Sequence, residues 1–307
     1  MRTKICSPRN VYYLILVLLL VASMACKKKS DNPTSSDNNN NNNNNSSLGD
    51  FTGNFLAWTG SDDAAHYFCL VRINGTNGNV TNIGGTRYFR DLEYGPDGTL
   101  YGIGSSLYSI NQSTGVETLI GSFHTSSVSS ILMGGAAFSP NGTLYVRESS
   151  TDQIYTVNLT NGALTPVGTP DALMEDFEFA SNGTLYAAFA DLYTLNSADF
   201  STKTDIASFS DGVYISMMTF GKNGVLYGMD YFPSTALYSI NTSTGALTKI
   251  TDVQSSGISA LLAERAVTTH KIADVHHAQE PVPTDAELRA MEAKGKADQA
   301  RHMHPVR

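Results

Sequence analysis

Tryptophan occurs once in 307 residues and cysteine three times. Cys6 and Cys26 fall in the first 26 residues, which leaves Cys69 alone in the body of the chain, so no disulfide can form within that body. Cys69 sits in the apolar stretch Tyr67-Phe-Cys-Leu-Val71 and reads as a buried, inert thiol. Basic residues are scarce as well. Residues 51–263 hold 7 Lys+Arg against 18 Asp+Glu, and an acidic surface without clustered cations excludes nucleic acid as a partner. Only His66 and His124 of the seven histidines lie in this region, and neither is paired with a nucleophile. No apolar run reaches the length of a periodic helix there.

What the region does contain is a repeat. Asp97-Gly-Thr-Leu-Tyr101 returns as Asn141-Gly-Thr-Leu-Tyr145, Asn182-Gly-Thr-Leu-Tyr186 and Asn223-Gly-Val-Leu-Tyr227, with tyrosines 44, 41 and 41 residues apart. A second motif follows each first one: Leu107-Tyr-Ser-Ile-Asn111, Ile154-Tyr-Thr-Val-Asn158, Leu192-Tyr-Thr-Leu-Asn196 and Leu237-Tyr-Ser-Ile-Asn241. Three copies continue into a Thr-Gly or Asn-Gly turn. The third replaces it with Ser197-Ala-Asp-Phe-Ser201. Short apolar runs precede and follow these motifs, and the Asp-Gly, Asn-Gly and Thr-Gly pairs tolerate the positive φ that tight hairpins require. Each unit therefore predicts four short strands, the blade of a β-propeller.

The ends of the region complement each other. Phe55–Trp58, Leu70–Asn74 and Val80–Ile83 match the second, third and fourth strands of a blade, and Ile258–Ala263 matches a first strand. Four intact blades plus one shared between the two ends predict an all-β, five-bladed propeller. A stacked solenoid is the structural alternative, but solenoids end in caps rather than in complementary halves. The domain boundaries read as 1–26 signal peptide, 27–52 Asn/Ser-rich tether, 53–264 propeller and 265–307 polar tail.

The pattern F-x-x-x-(D/N)-G-T-L-Y-G…L-Y-x-I-(N/D)-x-x-T-G, spanning Phe55 to about Ala263, resembles extracytoplasmic bacterial β-propeller repeats of the YVTN, NHL and PQQ-like groups. The resemblance implies the fold and leaves the activity open, because such propellers host many functions. Quinone-dependent members are tryptophan-rich, which the lone Trp58 does not match.

The first 26 residues carry an address. Arg2, Lys4 and Arg9 precede the apolar Val11–Ala22, and Ser23-Met-Ala-Cys26 ends the segment with small residues, the pattern of a secretory signal. Cys26 resembles the lipidated cysteine of a bacterial lipoprotein box, with Ser23 where that box usually has an aliphatic residue. Cleavage after Ala25 by an ordinary signal peptidase is the alternative. Lys27-Lys-Lys29 and the run Asn38–Asn45 have too few apolar side chains to fold, and a coil of this length reaches roughly 25–30 Å. Such starts resemble lipoproteins of Bacteroidota, and the three lysines favour the periplasmic leaflet. The expected location is the bacterial cell envelope, as an outer-membrane or periplasm-facing lipoprotein, with the membrane reached through the lipid and the propeller a monomer.

The candidate site is the central channel, which first strands line. Arg90, Asp91 and Glu93 lie on one first strand, and Glu175, Asp176 and Glu178 take the equivalent place two blades on. Asp91, Glu93, Asp176 and Glu178 are the candidate channel ligands. Converging carboxylates suit Ca²⁺ or an acid/base pair, and the plainer reading is solvated lining of a wet channel. Lactone-hydrolysing propellers hold a metal in the channel with Glu, Asn and Asp, but no matching motif is present. Tyr101, Tyr145, Tyr186 and Tyr227 suggest either an aromatic sugar-binding surface or, better, packing between blades. The Asn-Gly-Thr triplets match a glycosylation sequon but are needed as turns. In the tail, five histidines lack a ligand spacing, and Thr284-Asp-Ala-Glu287 forms a capping box for a short polar helix. The expected function is a non-enzymatic binding or scaffold module for a protein, peptide or glycan partner, with no obligate cofactor. The alternative is a Ca²⁺-dependent hydrolase or lyase.

Overall fold

The computed structural model describes residues 51–60, 68–126, 131–209, 212–230, 235–255 and 257–266. Residues 1–50, which include the expected signal peptide, Cys26 and most of the expected tether, lie outside them, as do His66 and residues 267–307 of the expected tail. The described residues form strands and turns and no helix. The strands are β1 (Phe51–Thr59), β2 (Leu70–Asn74) and β3 (Val80–Gly84), then β4 (Asp91–Tyr94), β5 (Leu100–Ile103), β6 (Ser106–Ile110) and β7 (Glu117–Ser122). There follow β8 (Met133–Phe138), β9 (Leu144–Glu148), β10 (Ile154–Val157) and β11 (Leu164–Gly168), and β12 (Asp176–Phe179), β13 (Leu185–Ala188), β14 (Asp191–Leu195) and β15 (Lys203–Ser208). The last are β16 (Ile215–Phe220), β17 (Leu226–Asp230), β18 (Ala236–Ile240), β19 (Leu247–Asp252) and β20 (Ile258–Arg265).

They assemble into five antiparallel four-stranded sheets, and the fifth has the order β20-β1-β2-β3. The C-terminal strand is thus the inner strand of the N-terminal blade, as the complementary ends predict. Inner strands β4, β8, β12, β16 and β20 touch in sequence, and β20 touches β4, which closes the ring of a five-bladed β-propeller. The blade begins at Phe51, paired with Arg265, so both ends of the domain run slightly past the expected boundaries.

Alternation within strands buries one set of side chains in each interface between neighbouring blades. The recurring tyrosines lie there. Tyr101 packs on Phe138, Tyr145 on Phe179 and Tyr186 on Phe220, each the last residue of the next blade's inner strand, and Tyr227 packs on Phe55. They hold blades together and form no exposed sugar platform. Trp58 is fully buried, edge-on to Phe89, and its Nε1 donates to the Arg87 carbonyl at 2.6 Å.

Two features keep the outer rim in register. Each blade has a β-bulge between its third and fourth strands, and the extra residue is a branched aliphatic: Ile83, Ile120, Val167, Ile206 and Ile250. The bulge bends the outer strand and blunts its open edge against pairing with another chain. Four of the five pack against interblade clusters, whereas Ile250 is 37% exposed. Neighbouring rims also meet backbone to backbone. A Cβ on Gly121 would lie 2.1 Å from the Asn161 carbonyl oxygen. In the irregular third copy, Phe200 takes the left-handed conformation (φ 61°) that glycine holds in the other turns, and its buried ring contacts Tyr145 and Phe177. Burial of that ring offsets the strain of a positive φ.

Candidate functional site

The inner strands superpose residue for residue. The place of Asp91 is held by Gly135, Asp176, Met217 and Ala260 around the ring, and that of Glu93 by Ala137, Glu178, Thr219 and Leu262. The four candidate carboxylates are therefore brought together from β4 and β12, and β8 between them in the ring carries only Gly135 and Ala137 at these levels. They are not solvated lining. Asp91 and Asp176 are 4% exposed, and Glu93 and Glu178 are 6% exposed.

The aspartates act as staples. One Oδ of Asp91 accepts from its neighbour Leu92 N at 2.8 Å, and the other reaches the next blade and accepts from Ala136 N at 2.6 Å. Asp176 repeats this with Phe177 N at 2.8 Å and Met218 N at 2.6 Å. Thr219 makes a third staple, its Oγ1 accepting from Ala263 N at 3.1 Å. Where β20 closes the ring beside β4, Ser259 Oγ donates to the Phe89 carbonyl at 2.8 Å. Burial pushes the Asp91 carboxyl well above the usual range, with the Asp176 charge adding to it and the two N–H groups opposing. Burial likewise raises Asp176 to about 7, against its N–H partners and the Arg147 guanidinium.

The glutamates face one another. The Glu178 carboxyl lies within hydrogen-bonding reach of Glu93. Burial raises both well above the carboxylate range. The Glu178 charge then acts on Glu93 and the Asp176 charge on Glu178, while Arg265, at one end of the channel, opposes both shifts. A carboxyl–carboxyl contact in a dry interior requires a shared proton, and the two titrate as a unit.

This donor set does not fit Ca²⁺, which takes six to eight oxygens that are free to coordinate. Both oxygens of each aspartate are committed to backbone N–H groups, and the glutamates are held by each other. Among the described residues no group of three or more His, Cys, Asp or Glu is arranged to hold a metal ion. None of these four side chains is open to a substrate as an acid or base either, since all are buried.

The other sequence candidates separate from this cluster. Arg90 Nη1 donates to the Tyr88 hydroxyl at 3.2 Å. The Glu175 carbonyl accepts from Arg147 Nη2 at 3.1 Å, and its carboxylate lies 3.7 Å from the same nitrogen. His124 Nδ1 contacts the Ser122 carbonyl at 2.9 Å. Cys69 is buried, 3.5 Å from Thr59 Oγ1. Sequence reading missed Arg147 and Arg265. Arg147 replaces the apolar Ile103, Ala188 and Met229 of the other blades, and that break in an otherwise apolar column was the available signal. Arg265 lies one residue beyond the expected boundary, stacked on the Tyr94 ring at 4.6 Å. Beside it Glu264 forms an ion pair with Arg72 at 2.6 Å that ties β20 to β2.

A family model described as a repeat of unknown function, DUF6923, matches residues 95–221. These limits fall on equivalent turn residues, Gly95 and Gly221, so the match covers three repeat periods. No curated protein matches the sequence. Among solved structures, a protein of unknown function from Bacteroides thetaiotaomicron VPI-5482 is 16% identical with a TM-score of 0.48, over 69% of this chain and 60% of that one. A chain of the nidogen/laminin complex is 14% identical with a TM-score of 0.47, over 69% of this chain and 81% of that one. A gluconolactonase from Xanthomonas campestris is 18% identical with a TM-score of 0.37, over 55% of this chain and 67% of that one. The chain thus spans 60% of the first of these structures. These likenesses concern chain architecture and say nothing of what this chain binds.

Proposed function

We propose that this chain is an exported β-propeller, lipid-anchored at Cys26, that works in the bacterial cell envelope as a binding or scaffold module for a protein, peptide or glycan and not as an enzyme. One observation supports the non-enzymatic reading: among the described residues, the carboxylates that converge on the channel are spent on building the ring. Asp91 and Asp176 each staple two blades, and Glu93 and Glu178 hold each other. The envelope address rests on the basic start, the apolar Val11–Ala22 and the cysteine after Ala25. The repeat pattern supports a relation to YVTN, NHL or PQQ-like propellers.

The test has two arms. Cells expressing the full chain are fed an alkynyl fatty acid. Label and membrane association are expected on the wild-type protein, and loss of both in Cys26→Ala. Separately, the Glu93→Gln/Glu178→Gln variant is screened on lactones and esters and for envelope cross-links. Cross-links shared with the wild type, without turnover by either protein, support the binding role. A hydrolysis that the wild type performs and the double variant loses would overturn it.

A further inference from the structure

Strands alternate in direction within each blade, so first-to-second and third-to-fourth strand turns all lie on one face of the disc. The four first-to-second turns are copies of one pattern, yet they seat their tyrosine in two ways. A Cβ added at Gly95 would lie 2.7 Å from Cε2 of Tyr101, and one at Gly221 would lie 2.9 Å from Cε2 of Tyr227. Those rings rest directly on their glycine, and each is 7% exposed. The other two turns carry Ser139 and Ala180 at this place. Their Cβ atoms fill the seat, so Tyr145 and Tyr186 are turned off it and stand only half-buried. The Tyr227 hydroxyl accepts from Asn223 Nδ2 at 2.8 Å. Among the described residues the Tyr145 hydroxyl has no such partner.

Beside Tyr145 the neighbouring turns also stand apart. One interface earlier they meet, since a Cβ on Gly142 would lie 3.0 Å from Pro96 Cγ. Gly183, which holds the place of Gly142 opposite Pro140, has nothing within 4 Å of its Cβ position. The gap is a cavity of about 390 Å³, at the lower end of the roughly 300–1,000 Å³ of small-molecule sites. Tyr145 and Phe179, with ring centroids 5.5 Å apart, form its apolar wall, and Asn141, Ser181, Asn182 and Ser197 line the rest with Ser139. Ser197 belongs to the turn that replaces Thr-Gly in the irregular copy, and Phe200 of the same turn packs on Tyr145 at 5.4 Å. No charged residue lines the cavity, although the equivalent turns carry Asp97 and Lys222. Asn141 Oδ1 accepts from Thr143 N at 3.1 Å and Asn182 Oδ1 from Thr184 N at 3.0 Å, which leaves both Nδ2 groups to donate outward. Ser139 Oγ donates to Asn141 Oδ1 at 2.6 Å and fixes that amide's orientation.

We propose that this cleft is a subsite for one neutral hexose unit of a glycan. This rests on the binding reading above and deepens it by naming the ligand class. A sugar ring carries an apolar C–H face and several neutral hydroxyl groups on one small frame. The C–H face lies against Tyr145, and the hydroxyls accept from Nδ2 of Asn141 and Asn182 and exchange hydrogen bonds with Ser181 and Ser197. An acidic sugar finds no cation in the lining, and its carboxylate would be desolvated without a partner. The ring enters edgewise between two blades, where a single tyrosine is displaced from its seat, and not across a platform of all four.

The full mature chain, in a phosphocholine detergent without a sugar headgroup, is titrated by saturation-transfer difference NMR. The probes are methyl glucoside, methyl galactoside, methyl mannoside and glucuronate. Saturation transfer to at least one neutral hexoside is expected, and none to glucuronate. Asn141→Asp/Asn182→Asp keeps both turns, because Asp97 accepts from Thr99 N at 3.0 Å in the same way, but removes both amide donors. It should weaken hexoside binding about tenfold or more. The charge-matched Asn111→Asp/Asn241→Asp, in third-to-fourth turns of other blades on the same face, should weaken it less than about twofold. Melting curves establish that each variant is folded, and Ser181→Asp, a single change at an exposed lining position, takes the place of the double variant if that unfolds. No transfer to any neutral hexoside, equal transfer to glucuronate, or equal losses in the two double variants would overturn the assignment. Envelope cross-links to a protein that survive Asn141→Asp/Asn182→Asp, with no hexoside bound, would end the sugar site and leave the binding reading standing. Turnover of a lactone or ester by the wild type would end that reading whatever the hexosides do.

Discussion

The buried glutamate pair makes stability depend on pH in a direction opposite to that of most acidic proteins. A carboxyl whose folded-state pKa is raised keeps its proton when folded and loses it when unfolded. Its stabilisation is complete below the unfolded value of about 4.3 and is lost as pH rises toward the folded value. With one proton shared by Glu93 and Glu178, the pair contributes a fall of about 1.4 kcal/mol per pH unit over the window in which the fold retains that proton. A domain of this size shifts by about 2–4 °C per kcal/mol, so the melting temperature should fall by about 3–6 °C per pH unit within that window. Asp91 and Asp176 titrate in the same direction and stay in place, so the informative quantity is the difference from Glu93→Gln/Glu178→Gln, whose amides can bond to each other without a proton. Differential scanning fluorimetry of both proteins from pH 4.5 to 8 should give curves that converge at the acid end and separate as pH rises, with the variant the more stable above neutrality. Parallel curves, or a wild type that gains on the variant with rising pH, would show that the pair is ionised in the fold and that the shared proton does not exist.

The staples and the rim give further tests. Asp176→Ala strands Phe177 N and Met218 N in a dry interior and should cost about 2–4 kcal/mol in urea unfolding; a loss below about 1 kcal/mol would mean the staple is dispensable. Gly121→Ala places a methyl against the Asn161 carbonyl and should cost about 1–3 kcal/mol, because two backbones must separate; at Gly98, with open space around it, the same change costs only about 1 kcal/mol through its φ of +85°. Chelation with EDTA should leave the melting temperature unchanged, since no carboxylate oxygen of the channel is free to coordinate; a fall on chelation, restored by Ca²⁺, would reopen the metal reading.

The parts of this molecule that were legible in its sequence are those that the repeat writes down more than once. The period, the four strands per blade and the closing of β20 onto β1 follow from copies of one pattern and from two incomplete copies that fit together. The recurring tyrosines were assigned to blade packing because a contact made in every interface must recur at one position. Averaging over copies hid the rest. The bulges at Ile83, Ile120, Val167, Ile206 and Ile250 do recur, but an aliphatic residue in a strand looks the same whether it extends the ladder or interrupts it. Asp91 and Glu93 stood out in the sequence as a pair, yet two residues apart on one strand they do different work. Asp91 is short and reaches only backbone amides, that of Leu92 on its own strand and that of Ala136 on the next blade. Glu93, one methylene longer and facing Ala137 rather than a bulky side chain, is free to meet Glu178. That difference lies in which strand intervenes, which no single repeat records.

Arg147 carries the same argument further. In a chain whose blades are near copies, residues shared by all copies explain the ring, and a residue that one copy alone possesses needs a separate cause. Phe200 has one in packing, since its ring is fully buried between blades. Arg147 gains two carboxylates but leaves Nε without a partner, at a level where Ile103, Ala188 and Met229 fill the same column with apolar contacts. An apolar side chain there would pack without that cost, and what it would not do is hold the 149–153 and 169–175 loops to one charge. The departure from the repeat and the joining of these two loops are thus one feature.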